Sequence, residues 1–186
     1  MNDGEFDGKV QLDRVDAIVA QWNRERPEVD VSPMQIIGRI LRAARYFDPA
    51  LDRVFKRYGL DFGLFDVLAT LRRSGQPYAL APSELNRWCM LSSGAMTKRL
   101  DRLERLGLIA RKADPRDRRG IRVVLSAAGL ELVDEVVVAH VENEDRILET
   151  LSPDERADLV GLLRRLLFSL ESRAEAAAAE TSLTVS

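Results

Sequence analysis

The chain has 186 residues, with 28 Lys and Arg against 30 Asp and Glu, one His, one Cys, seven Pro and eleven Gly. That length suits one ordinary domain with helical arms and is enough to bury a core. A single Cys excludes an internal disulfide framework and a thiolate zinc cage, and a single His counts against metal clusters and Ser-His-Asp chemistry. No run of about 18 apolar residues is present to cross a membrane. The opening MNDGEFDGKVQLDR is polar and acidic where a signal peptide is basic and then apolar. The expectation is a cytoplasmic protein without a cofactor or bound metal, and not an enzyme.

Helix dominates along the chain. Residues from about Val10 to Arg26 form a short amphipathic stretch that stops at Pro27. Ser32-Pro33-Met34-Gln35 then predicts a helix start with a capping box, since Ser can cap, Pro suits the first turn and Gln follows three residues later. This helix carries Ile36, Ile37, Ile40, Leu41, Ala44, Phe47, Leu51 and Phe55 before Gly59, and Asp48-Pro49 is expected to kink it. Asp61 is placed to cap a helix from Phe62 to about Arg73, and a short one follows from Pro82 to about Trp88. After a tight link at Met90-Leu91, a fifth helix opens with Ser92-Ser93-Gly94-Ala95 and runs to Gly107, with Met96, Leu100, Leu103 and Leu106 at helical spacing. The period then changes to strict alternation at Ile121, Val123 and Leu125, after a charged, turn-rich tip from Asp114 to Gly120; this reads as a β-hairpin. Two helices complete the chain. One runs from about Ala127 to Thr150, and the other opens at the capping box Ser152-Pro153-Asp154-Glu155, with a tail from Ala174 expected to fray.

Two short helices, a tight turn and a two-stranded basic ribbon make a winged helix-turn-helix. The fold class is therefore mainly α with a small β-hairpin wing, flanked by N- and C-terminal dimerisation helices. In residue terms, 1–32 is an N-terminal extension with an added helix, 33–60 and 126–175 are dimerisation helices, 61–125 is the winged lobe, and 176–186 is a frayed tail.

Charge is unevenly placed along this layout. From Lys98 to Arg122 ten bases face four acids, a net +6, whereas from Ser126 to the end 13 acids face five bases, a net −8. A helix fits the DNA major groove and its N-terminal side chains reach base edges. Ser92, Ser93, Thr97 and Lys98 lie off the apolar stripe and suit that role; Lys98, Arg102 and Arg105 suit phosphates. At the tip, Arg116, Arg118 and Arg119 suit the minor groove, where the potential is most negative. A winged helix used for protein docking is the competing reading, although it seldom needs several arginines at its tip. The stripe Leu159-Leu163-Leu166-Leu170 has no second partner in sequence, so a homodimer on a pseudo-palindromic double-stranded operator is expected, with the first helices of the same chain as the alternative cover. Cys89 reads as a small core residue and His140 as a helix-surface or interface residue.

At this point the residues resemble a known family. LSSGAMTKRLDRLERLGLIAR followed by DPRDRRGIRVVLSAAG, Leu91 to Gly129, resembles the recognition helix and wing of the MarR transcriptional regulators. The resemblance covers roughly Pro33 to Leu170 and implies a triangular dimer tied by its terminal helices, with Asp114 orienting Arg116 toward the minor groove. Ala81 departs from the Thr or Ser that often caps the short helix. QWNRERP on the added helix, SPMQIIGRI and FDVLATLRRSG are similar to the urate-responsive PecS/HucR branch of that family. That branch implies a small anionic ligand, urate, held by Trp22, Asp66, Arg99 and Arg111. It further implies that Asp66 pairs with Arg111 until the anion repels Asp66, competes for the arginines and shifts the reader through Arg99. A flat anion suits an indole and a planar guanidinium. Each residue also has a plainer role: Trp22 in packing, Asp66 as a surface acid, Arg99 and Arg111 on phosphates. The alternatives are a regulator of the same family sensing another anion or a phenolic compound, and a winged-helix protein with no small ligand.

Overall fold

The computed structural model describes residues 11–90, 95–115, 117 and 120–184. Its elements run α1 (Arg14–Glu25), α2 (Pro33–Arg57), α3 (Phe62–Arg73), β1 (Ala79–Leu80), α4 (Pro82–Trp88), α5 (Met96–Arg105), β2 (Ile109–Ala113), β3 (Ile121–Leu125), α6 (Ala127–Ile147) and α7 (Pro153–Thr184). The mainly helical class with a small β wing is what the chain adopts. It divides into two compact units, Met1–Val133 and Asp134–Ser186, so the division falls inside α6.

In the first unit, α1 begins at a reciprocal cap. The Asp13 carboxylate accepts from the N–H groups of Val15 and Asp16 at 2.6 and 3.1 Å, and Asp16 accepts from the N–H of Asp13 at 2.8 Å. Val15 and Val19 close over Val31. Arg39 of α2 then reaches both acids, at 2.9 Å to Asp13 and 2.7 Å to Asp16, so one guanidinium fastens α1 to α2. Hydrogen bonding to Arg39 holds the Asp16 carboxyl below its ordinary range. The capping box expected at Ser32 does not form. Ser32 already has helical dihedrals, so its side chain does not cap; its N–H instead donates to Asp30 at 2.9 Å, and Pro33 occupies the first turn as expected. Pro49 lies within α2, whose helical run is unbroken from Pro33 to Arg57.

The winged lobe is built around α3, which is buried at Leu64, Phe65, Val67, Leu68 and Leu71. Phe55 of α2 stacks on Phe65 with ring centroids 4.6 Å apart, joining the long helix to the lobe. Asp61 caps α3 as expected, accepting from Leu64 N–H at 3.0 Å. Leu85 of α4, Met96, Leu100 and Leu103 of α5, and Ile109, Val123 and Leu125 complete the core. Two helices end alike. Gly59 and Gly107 take φ of +70°, and the following N–H groups of Leu60 and Leu108 donate to the carbonyls of Phe55 and Leu103 at 3.0 Å. This end motif needs a residue in the left-handed region, which glycine adopts without a Cβ penalty. At Gly107 it turns the chain from α5 straight into β2.

The sheet has three antiparallel strands in the order β1-β3-β2, with Ala79 opposite Val124 and Arg111 opposite Val123. The hairpin was legible in sequence; β1 was not, because two residues carry no alternation. Ser126 caps the start of α6, accepting from Gly129 N–H at 3.0 Å and donating to the Gly107 carbonyl at 2.7 Å.

In the second unit, the Ser152 capping box forms as expected: Ser152 Oγ accepts from Glu155 N–H at 3.3 Å, and Glu155 accepts from Ser152 N–H at 2.8 Å. Arg156 pairs with Asp145 and donates to the Leu148 carbonyl at 2.8 Å, closing the turn from α6 to α7. His140 lies 3.2 Å from Glu144, one turn along α6. α7 continues to Thr184 along a run of alanines, the strongest helix former.

Candidate nucleic-acid interface

The reading helix separates cleanly into two faces. Met96, Leu100 and Leu103 point into the lobe, while Thr97, Lys98, Arg102 and Arg105 are exposed. Among the described residues, neither Lys98 nor Arg105 enters an ion pair, so their charges face solvent. Arg102 donates to Asp61 at 3.0 Å, with both side chains about half exposed; a phosphate recruiting Arg102 competes with that carboxylate. Ser92 and Ser93, at the start of the same reader, lie outside the described residues, as do Arg116, Arg118 and Arg119 at the wing tip.

The base of the wing is described. The N–H of Asp114 donates to the Gly120 carbonyl at 2.9 Å, closing the loop. The Asp114 carboxylate is only 14% exposed and accepts from Arg122 at 3.4 Å. Arg122 also donates to the Ala79 carbonyl and lies 3.6 Å from Glu84, which itself accepts from the N–H of Ala81 at 2.7 Å. Ala81 cannot cap, so Glu84 supplies the reverse half of the box. Sequence reasoning counted Arg122 only as one charge in the basic window; its alternation on β3, opposite Lys112, was the available signal for a sheet-face role.

The four candidate ligand residues occupy different places. Asp66 is 3% exposed on α3 and accepts from the N–H of Met90 at 2.7 Å, which ties α3 to the turn before the reader. Arg99 packs against the same helix: a Cβ at Gly63 would lie 2.5 Å from its Nε, so a glycine makes room for the guanidinium stem. The charges of Asp66, Arg99 and Arg73 all bear on Cys89, which sits 3.5 Å from Thr70 Oγ1, and burial pushes its thiol above the ordinary value. Asp66 and Arg99 thus share the α3–α5 side of the lobe. Arg111, at the other end of α5, does not pair with Asp66. Its guanidinium donates to Asp101 at 2.7 Å and Glu104 at 2.5 Å, and its N–H donates to Glu104 at 3.1 Å. The expected Asp66–Arg111 contact yields to two carboxylates within reach of β2 on the adjacent helix. Asp101 and Glu104 were missed as partners because acids on an exposed helix face look like ordinary solvation. Trp22 is 44% exposed on α1. Among the described residues no group of three or more His, Cys, Asp or Glu is arranged to hold a metal, and no helix is long and apolar enough to cross a membrane.

An exposed cationic helix face followed by a clasped β ribbon matches the comparisons with known proteins. The MarR family model matches residues 58–120. The transcriptional regulator PecS of Dickeya dadantii is 45% identical over 152 residues, covering 82% of this chain and 92% of the relative. A mutant MarR from E. coli complexed with operator DNA superposes with a TM-score of 0.63 at 25% identity, over 78% of this chain and 97% of that one. Bordetella bronchiseptica BpsR, in a structure addressing regulation of its DNA binding by 6-hydroxynicotinic acid, gives 0.63 at 27% identity, over 70% and 91%. These relatives are regulators rather than enzymes. The chain belongs to the MarR family of DNA-binding transcriptional regulators and fits its PecS-like branch.

Proposed function

We propose that the chain acts in the cytoplasm as a homodimeric repressor, released from a pseudo-palindromic operator by a small anionic ligand, and that this ligand is urate. The observation that carries the reading is the buried Asp66 carboxylate holding the Met90 N–H on one side of the reader while Arg99 of the reader lies against Gly63. An anion near this seam repels Asp66 and draws Arg99, and either event shifts α5. Only a better fit of the ligand to the DNA-incompetent state is needed. Arg111 would join the anion by exchanging one carboxylate for it, and Trp22 would offer its ring and indole N–H.

Contact with DNA is assigned to Ser92, Ser93 and Thr97 at base edges, to Lys98, Arg102 and Arg105 at phosphates, and to Arg116, Arg118 and Arg119 in the minor groove, with Asp114 fixing the wing base. Support for self-association comes from each unit separately. In the first unit Ile36, Ile37, Ile40 and Leu41 of α2 are exposed; in the second, Leu159, Leu163, Leu167 and Phe168 of α7 are. Apolar faces of this extent mark association surfaces. In a twofold pair the readers enter successive major grooves about 34 Å apart.

The test is a gel shift on a palindrome from DNA flanking the gene. Urate from submillimolar to millimolar concentration is expected to weaken the complex, and Trp22→Phe or Arg111→Ser to blunt that response while retaining DNA binding. Unchanged affinity of the wild type across that range would remove urate as the ligand. BpsR supports a second reading, in which another flat aromatic acid is the effector; release by such an acid but not by urate would select it.

A further inference from the structure

Arg122 reaches three separate elements with one side chain. The alternation along β3 that buries Val123 and Leu125 turns Arg122 and Val124 to the opposite face of the sheet. A cavity of about 370 Å³ opens on that face, and its lining includes Ala79, Lys112, Asp114, Arg122 and Val124. One guanidinium nitrogen lies 3.4 Å from Asp114 at the base of the wing, while another donates to the Ala79 carbonyl of β1 and lies 3.6 Å from Glu84 of α4. Glu84 in turn holds the N–H of Ala81 at 2.7 Å, at a position where Ala81 has no oxygen with which to cap α4. One planar fork therefore joins the wing, the sheet and the first helix of the helix-turn-helix. The loop that Asp114 closes has little slack. Asp114 N–H donates to the Gly120 carbonyl and Gly120 N–H to the Asp117 carbonyl, both at 2.9 Å, and a Cβ at Gly120 would lie 3.0 Å from that of Asp114. Holding the Asp114 carboxylate from below thus fixes the start of a loop that carries Arg116, Arg118 and Arg119 in sequence.

We propose that Arg122 is a positioning residue for DNA recognition: its fork on Asp114, the Ala79 carbonyl and Glu84 sets the angle at which the wing meets the minor groove, and it acts through the wing tip without contacting DNA itself. The proposal rests on the reading that Arg116 enters the minor groove, and it is independent of the ligand. A guanidinium engaged on three acceptors has a weaker claim on a phosphate than Lys98 or Arg105, whose charges face solvent. Removing it would leave two carboxylates without their shared cation beneath a ribbon that has to approach phosphates. Lysine would keep the charge but, as a point donor on a flexible stem, could not span three acceptors in one plane. The contact also ties the wing to α4, so a change at the start of that helix is felt at the ribbon.

The test is a double-mutant cycle in the full-length protein, read as affinity for the same palindrome by fluorescence anisotropy. Hydroxyl-radical cleavage reports the minor groove and guanine N7 methylation the major groove. Arg116→Ala and Arg122→Gln should each weaken binding about tenfold, and the double variant should be scarcely weaker than either. Arg122→Gln should lose protection of the minor groove at the wing while keeping that of the major groove at the reader, which also shows that the lobe is folded. Arg122→Lys should remain weakened by about threefold or more. Costs that add, leaving the double variant about a hundredfold weaker, would make Arg122 a direct phosphate contact and overturn the proposal. Full recovery in Arg122→Lys would overturn it too, as would wild-type affinity in Arg122→Gln beside a weakened Arg116→Ala. Wild-type affinity in Arg116→Ala would instead remove the minor-groove reading on which the proposal rests.

Discussion

Lys98 and Arg102 stand one turn apart on the same exposed face, yet they differ in what DNA must displace. Lys98 faces solvent, whereas Arg102 is shared with Asp61 at 3.0 Å. Lys98→Ala should therefore weaken binding by a similar factor on all sequences and lower the salt slope by about 1, measured as affinity against salt concentration. Cys89 belongs to the same scale. Burial raises the pKa of its thiol and so lowers its thiolate fraction, and only the thiolate reacts. Alkylation by iodoacetamide at neutral pH should be slower than for a free thiol and should accelerate in denaturant; a rate matching free cysteine would mean an activated sulfur. At this scale the sequence showed which residue types were present but not whom they touch. Arg111 fitted a branch pattern, but its clasp by Asp101 and Glu104 depends on the Gly107 turn, which folds β2 back along α5.

Caps and turns decided which elements could be read in advance. Asp61 and Ser152 cap as their spacing predicts, while Ser32 does not, because its backbone has already turned helical and Asp30 takes over the entry. The start of α6 carries the tightest packing requirement. A Cβ at Gly129 would lie 2.0 Å from the Leu108 carbonyl oxygen, which cannot swing aside because it also accepts from Ser126 N–H. Gly129→Ala should destabilise the fold by about 2–3 kcal/mol in urea unfolding. The fastening of α1 is pH-dependent with a definite sign. Because Arg39 lowers the Asp16 pKa in the folded chain, the contribution is present above the ordinary carboxylate value of about 3.9 and disappears as pH falls through the folded value below it. In a Trp88→Phe background, Trp22 emission should report loosening of α1 in acid, and Asp16→Asn should show that looser state already at neutral pH.

Across the whole molecule, the +6 window from Lys98 to Arg122 falls on the region proposed for nucleic-acid contact and the −8 segment from Ser126 onward on the one proposed for self-association. The apolar face of α7 makes the second role testable. Leu163→Glu with Leu167→Glu should shift the sedimenting species to monomer and abolish high-affinity operator binding, since one reader alone forfeits half of the phosphate contacts. The expectation of a two-fold pair rests on an unpartnered leucine stripe, whereas which face of α2 stays exposed became visible only once α1 had laid Val15 against Gly38 of that helix. The grip of Arg111 on Asp101 and Glu104 has a mechanical corollary. It couples α5 to the β2 ribbon beside it like a crank to its shaft, so tilting one drags the other. Hydroxyl-radical footprints should then fade at both grooves together, at a single effector concentration, and Arg111→Ser should let the two fade apart.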